Sequence, residues 1–314
     1  MNRAWNVIHG VVVFLCVSFA LFGVEAMAGR PKVFVSILPQ AYFVERIGGP
    51  HVDVGVLVGP GMSPHTYEPT PRQMAALGEA NIFFRIGLPF EDRILEKIGG
   101  TMRNLRIVDT RLGVPLRYFE APFHRDRETG DDDHRHGQSS SGETADPHVW
   151  LDPKRVMIQA RTICQALVEL DPERENLYRA NLVSFLEDLE RIDRELTEIL
   201  APLKGKTFYA FHPAFGYFAD SYGLHQESVE VSGKEPSPRQ LASIIEKAKE
   251  EGVRVIFVQP QFSPRLAESV AREIGGAVVP LDPLARDYLL NLERIGEAIS
   301  KALAVGGGER REGA

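Results

Sequence analysis

The stretch Asp146-Pro147-His148-Val149-Trp150-Leu151-Asp152-Pro153 divides the chain into parts of different periodicity. Two prolines fix its backbone, and each holds the preceding Asp extended. Between them stand one imidazole, one indole and a short apolar pair. A His held that rigidly beside a carboxylate reads as part of a site. On the C-terminal side, residues 154–170 have helical spacing. Asp171-Pro172 then reads as the cap and first turn of a second helix. Its apolar positions are Leu177, Leu182, Phe185, Leu189, Ile192 and Leu196. About 30 residues at about 1.5 Å each make about 45 Å, enough to run the length of the molecule and join two lobes.

On the N-terminal side, short apolar runs at residues 31–37, 52–58, 82–86 and 105–108 alternate with helical patterns at 39–47, 72–80 and 90–98. The connections are too short for anything but neighbours, which is the pattern of a parallel α/β sheet. Beyond the long helix the pattern resumes, with strands expected at 206–211, 227–231, 253–258 and 277–281. Helices are expected at 215–222, 238–250, 263–274 and 288–305. The expected fold is therefore α/β, two parallel-sheet lobes joined by a long rigid linking helix. Its parts are a first lobe at 29–170, the linking helix at 171–201 and a second lobe at 202–314. Each lobe is expected to bury its own core.

Residues 120–146 interrupt the first lobe. They carry eight acidic and three basic residues, include Asp131-Asp132-Asp133-His134-Arg135-His136, and keep no apolar period. The composition predicts a mobile loop. Residues 1–28 are a different matter. Arg3 precedes a nearly continuous apolar run over 11–24, and Ala26-Met27-Ala28 offers small residues at a cleavage site. A cleavable secretory signal peptide is expected, with the mature chain starting near Gly29. The alternative is an uncleaved anchor. Phe14-Leu15 before Cys16 argues against a lipid-modified cysteine. Cleavage leaves Cys164 alone, which rules out an internal disulfide and any multi-cysteine metal site. A net charge of −7 over 314 residues, with no Lys/Arg run, argues against a nucleic-acid partner.

Ligands in open α/β sheets bind beyond the carboxyl ends of the strands. His65, His212 and Asp282 each follow an apolar strand at that end, and His148 leads into the linking helices. Each has a proline beside it: Pro64-His65, Pro147-His148, His212-Pro213, Asp282-Pro283. Three imidazoles and one carboxylate suit a borderline cation in tetrahedral geometry, Zn²⁺ before Mg²⁺ or Ca²⁺. A shell closed by protein suits storage or transport. A catalytic zinc would keep a position for water beside a general base, for which Glu68 is the one obvious candidate. Asp146 or Asp152 would orient a ligating His through its other ring nitrogen, with helix capping as the competing role for Asp152. His124, His134 and His136 in the acidic loop form an auxiliary set that could gather zinc weakly. Trp150 is expected to pack in the core without a chemical role.

The chain resembles the metal-specific solute-binding proteins of bacterial ABC importers, the cluster with a rigid linking helix, and most closely their zinc-specific periplasmic branch. The resemblance rests on five motifs. They are Pro64-His65-Thr66-Tyr67-Glu68-Pro69-Thr70-Pro71; residues 146–153; Phe211-His212-Pro213-Ala214-Phe215-Gly216-Tyr217-Phe218; Lys234-Glu235-Pro236-Ser237-Pro238; and Leu281-Asp282-Pro283-Leu284. It implies a metal in the cleft between the lobes, held by His65, His148 and His212, with Asp282 as fourth ligand. Some members use another acidic residue or water there. Manganese members commonly have a carboxylate where His212 stands, so His212 points to zinc. Some zinc members have a disulfide in the second lobe, which this chain lacks. The implied function is high-affinity Zn²⁺ binding and delivery to the membrane permease of the importer, by a monomer without catalytic activity. The alternatives are a secreted zinc-dependent hydrolase with Glu68 as base, and a manganese-binding or adhesin member of the same family.

Overall fold

Lys32-Val33-Phe34-Val35, the first apolar run, is the strand β1 (Lys32–Val35) in the computed structural model of the chain. The structure describes residues 29–99, 102–119, 145–230 and 236–305. β1 pairs in parallel with β2 (Asp53–Val56) on one side and β3 (Ile82–Arg85) on the other. β3 pairs in parallel with β4 (Arg106–Asp109), giving the order β2-β1-β3-β4. Val33 lies opposite both Val54 and Ile82. The inner strand β3 reads Ile-Phe-Phe because it is covered on both faces, whereas the edge strands β2 and β4 are more exposed. A second all-parallel sheet runs β6 (His225–Ser228), β5 (Thr207–Ala210), β7 (Val255–Val258), β8 (Ala277–Pro280).

Proline in the first turn opens six helices. These are α1 (Leu38–Gly48), α2 (Pro71–Gly78), α3 (Pro89–Ile98), α4 (Pro153–Leu170), α7 (Pro238–Glu250) and α8 (Pro264–Glu273). Its missing N–H falls where a helix has no internal acceptor to satisfy. Thr70 with Gln73, and Ser237 with Gln240, add reciprocal capping boxes to α2 and α7. The remaining α-helices among the described residues are α5 (Glu175–Leu200), α6 (Gly216–Tyr222) and α9 (Tyr288–Val305). Among the described residues no helix is long and apolar enough to cross a membrane.

The linking helix α5 has 26 residues, or about 39 Å. Its start differs from the sequence expectation. Asp171 makes no capping bond; its Oδ2 accepts from Arg174 and from the Tyr178 hydroxyl, both at 2.7 Å. The chain makes a 3₁₀ turn over Pro172–Arg174 before α5 begins. Toward the first sheet, α5 is tied to α1 by Arg46–Asp188 (2.7 Å) and by Asn181 donating to the Ile47 carbonyl (2.9 Å). Toward the second, Tyr222 on α6 donates to Asp193 (3.2 Å).

The two lobes do not bury separate cores. One apolar cluster runs from Val33, Phe43 and Phe84 through Phe185, Leu189 and Leu196 to Phe208, Phe218 and Ile299. A second, smaller cluster covers the other face of the second sheet, from Tyr209 and Ile256 to Val270. The reason lies in α9. It belongs to the second lobe by sequence, yet it packs along α5 and reaches the first lobe, where Tyr288 meets Phe43 edge-on at 4.8 Å. Gly296 permits the approach, since a Cβ there would collide with Leu196. Each fully buried Leu or Ile on α5 contributes roughly 1.5–3 kcal/mol, so the linking helix is part of the shared core rather than a spacer. Trp150 is buried as expected, and it has a polar task as well. Its indole N–H donates to the Pro283 carbonyl (2.8 Å), and the Tyr288 hydroxyl donates to its own carbonyl (2.6 Å).

Candidate metal centre

Because both sheets are parallel, the chain leaves each strand at the same edge. β5 ends at Ala210 and delivers His212 into the cleft. Gln259, just past β7, clamps the His212 backbone from both sides. It accepts from the His212 N–H (3.2 Å) and donates to the His212 carbonyl (2.8 Å). The ring of Phe262 stacks on the imidazole at 5.0 Å. The Nδ1 of His212 meets Oε2 of Glu230 at 2.5 Å.

His148 sits at the head of a short 3₁₀ turn over Val149–Leu151 and is 3% exposed. Asp146 Oδ1 accepts from both its backbone N–H (3.0 Å) and its Nδ1 (2.7 Å). Asp146 therefore takes the orienting role. Asp152 instead caps α4 through the Lys154 N–H (2.9 Å) and turns its other oxygen to Arg155 and Ser221.

His65 arrives on the loop after β2. Tyr67, two residues on, anchors that loop by burying its ring against Phe90 at 4.9 Å, and the Tyr67 carbonyl accepts from Arg93 (3.3 Å). As a residue His65 is exposed, but its ring lies 4.5 Å from that of His212 and 6.1 Å from that of His148.

The three imidazoles place their ligand atoms within 4.8 Å of one another. A carboxylate offers only acceptors, so Nδ1 carries the proton in both His148 and His212 and Nε2 presents a lone pair. Those two Nε2 atoms face each other at 3.4 Å. Two ligands at about 2.0–2.1 Å from a tetrahedral zinc are about 3.3–3.4 Å apart, so the pair already has the edge length of such a shell. Two lone pairs at that distance repel unless a cation lies between them. The space lined by the trio is about 20 Å³, with Trp150, Gln261, Phe262, Pro283 and Leu284 among its walls. That volume is the order of one water or one ion.

Asp282 is not among the group that the fold brings together at 4.8 Å. Its Oδ1 is held by Gln261 Nε2 and the Leu284 N–H, both at 2.9 Å. Glu68 is exposed and does not line the cavity. His124, His134 and His136 lie outside the described residues, as do Lys234 and Glu235. Sequence reasoning passed over Glu230, Gln259 and Phe262. Gln259-Pro260 had the same signal as His212-Pro213, a polar residue beside proline just past an apolar strand. Glu230 had none, because it falls inside the strand expected at 227–231, whereas β6 ends at Ser228.

Although His65 is exposed as a residue, its ring sits against the other imidazoles, and loss of solvation there, then the charge of those rings, pushes it down to about 3. Burial also lowers His212, against the pull of Glu230. In the unfolded chain both would titrate near 6.5. Below about pH 6.5 the unfolded state thus binds more protons than the folded one, and stability falls as pH falls. The melting temperature of the metal-free protein is expected to drop between pH 7.5 and 5.5. The slope should flatten when His65 and His212 are both replaced by Asn; an unchanged slope would contradict this.

Two parallel-sheet lobes thus share a long helix, and three imidazoles, two of them braced by carboxylates, meet between them. The family model described as ZnuA, zinc-uptake complex component A, periplasmic, matches residues 33–302. The chain belongs to that family. A crystal structure of ZnuA is 41% identical, covers 88% of this chain and 100% of its own, and superposes with a TM-score of 0.78. A 138-173 ZnuA deletion mutant plus zinc bound is likewise 41% identical, covers 87% of this chain and 98% of its own, and has a TM-score of 0.77. The zinc-binding protein AdcA of Streptococcus pyogenes is 29% identical over 262 residues, which is 82% of this chain but 51% of AdcA. The chain thus spans about half the length of the streptococcal AdcA proteins it matches.

Proposed function

We propose that this chain captures one Zn²⁺ between its lobes and delivers it to the membrane permease of an ABC importer. The observation that carries the proposal is the pair of carboxylate-braced imidazoles with Nε2 atoms 3.4 Å apart, with His65 beside them. His65, His148 and His212 are the proposed ligands. Asp282 is the proposed fourth, and reaching the trio requires a shift of the loop that already lines the cavity through Pro283 and Leu284. Membership of a periplasmic uptake family supports a leader over residues 1–28 that directs the chain to that compartment. The acidic segment with His124, His134 and His136 is proposed to gather zinc weakly and apart from the tight site.

A cavity the size of one ion favours capture over hydrolysis, since a hydrolase needs room for substrate and a base within reach of the metal water. Competitive titration against a chromophoric chelator tests this. One tight zinc per chain is expected, with the affinity changed less than about twofold by Glu68→Ala or by deletion of residues 130–142. Zinc-dependent hydrolysis of an ester or amide, lost in Glu68→Ala, would overturn the reading. A large loss of tight binding on deletion would mean that the segment supplies ligands.

A further inference from the structure

His148 and His212 come from different lobes, so something must fix the 3.4 Å between their Nε2 atoms. The support of each ring within its own lobe does not do so. Arg117 spans the gap directly behind the carboxylate that orients His148. Its guanidinium places Nη1 3.4 Å from Asp146 Oδ2, on the far side of the carboxylate that orients His148. Its Nε donates to Asp220 Oδ2 at 3.0 Å, on α6. α6 begins four residues after His212, so its position and that of His212 are linked by a short stretch of buried chain.

The backbone repeats the connection. The Arg117 N–H donates to the Tyr217 hydroxyl (2.8 Å), which in turn donates to the Asp146 carbonyl (3.0 Å). The Arg117 carbonyl accepts from the Asp146 N–H (2.8 Å). Tyr217 is held from its other face by Arg155, whose guanidinium lies 4.6 Å from the ring centroid. Gly216 makes room for the clasp, because a Cβ there would stand 2.7 Å from the Arg117 Nη1. Asp146 is fully buried, so an ionised oxygen facing away from His148 needs a cationic partner. Only a guanidinium offers separate donors to two carboxylates at once in a fixed plane.

We propose that Arg117 is a positioning residue for the bound cation. Bridging Asp146 to Asp220 and Tyr217, it holds His148 in register with α6 and so with His212. It touches no metal; it acts through Asp146. The inference rests on the function proposed above.

The test measures zinc affinity by competition in the full chain for wild type, Arg117→Met, Arg117→Lys and Asp220→Ala. Arg117→Met is expected to weaken binding about 10- to 100-fold, the usual size of a loss behind the ligands. Arg117→Lys should restore part of this, because an ammonium can serve Asp146 but not both carboxylates. Asp220→Ala, a half-exposed site with little bearing on folding, should weaken binding by a smaller factor. In an Asp146→Asn background the Arg117→Met change should add little. A second readout needs no metal. Long-range nitrogen–proton NMR of the imidazoles should show one sharp set of His148 signals in wild type and shifted, broadened signals in Arg117→Met, as the Asp146–His148 unit loses its fixed position. Wild type that binds no zinc would defeat both the proposed function and this inference. Wild type that binds, with Arg117→Met and Asp220→Ala equal to it and the His148 signals unchanged, would defeat the inference alone.

Discussion

Zinc at about 1,000 times its dissociation constant is expected to stabilise the folded chain by roughly 4 kcal/mol. For a chain of this size that corresponds to a rise in melting temperature of roughly 6–7 °C. The effect should be large because the proposed ligands come from three separate places. His65 follows a strand of the first sheet, His148 leads into the linking helices and His212 follows a strand of the second sheet. An ion held by all three opposes any opening of the cleft, and the shared core ties the two lobes together in unfolding. Calorimetry with and without zinc, reversed by a chelator, checks it. An unchanged melting temperature at saturating zinc would contradict the site.

His212→Ala is expected to produce the largest loss of affinity of any single change. Structural zinc sites bind with about 10–16 kcal/mol shared over four ligands, so one ligand is worth roughly 3–4 kcal/mol, or about 100- to 1,000-fold. His212 should stand at the upper end because its rotamer is fixed beforehand. Glu230 holds Nδ1, Gln259 holds the backbone and Phe262 covers the ring. Little ordering then remains to offset the gain from binding. The truncation also leaves the Glu230 carboxylate buried without its partner, so folding must be checked by circular dichroism alongside the titration. A folded His212→Ala protein that binds zinc as tightly as wild type would remove His212 from the ligand set.

Much of this site is legible in the sequence for one physical reason. A parallel sheet delivers whatever follows its strands to a single edge, so a His directly after an apolar run points to that edge on the strength of chain order alone. His65 and His212 both stand in that position, and proline beside each proposed ligand marks a backbone held still. What sequence hides depends on contacts between distant residues. Glu230 reaches His212 across 18 positions and Gln259 across 47, and no local pattern announces either pairing. The strand expected at 227–231 actually ends at Ser228, which leaves Glu230 free to turn into the cleft. Arg117 meets Asp220 across 103 positions. The shared core is hidden for the same reason: α9 reads as a second-lobe helix, and nothing in its own residues says that Tyr288 will pack on Phe43. Asp282 shows the limit of the strand-end rule. It follows β8 as expected, yet Gln261 and the Leu284 N–H hold its carboxylate apart from the three imidazoles.

The central claim is that three imidazoles, His65, His148 and His212, hold the ion. X-ray absorption at the zinc edge tests it most directly, on protein lacking residues 130–142 and loaded with one equivalent of zinc, so that His134 and His136 cannot contribute. The account predicts a four-coordinate shell with three imidazole nitrogens at about 2.0–2.1 Å and one oxygen, no sulfur, and a drop to two imidazoles in His212→Ala. A wild-type shell with fewer than three imidazoles, or one unaltered by His212→Ala, would contradict it.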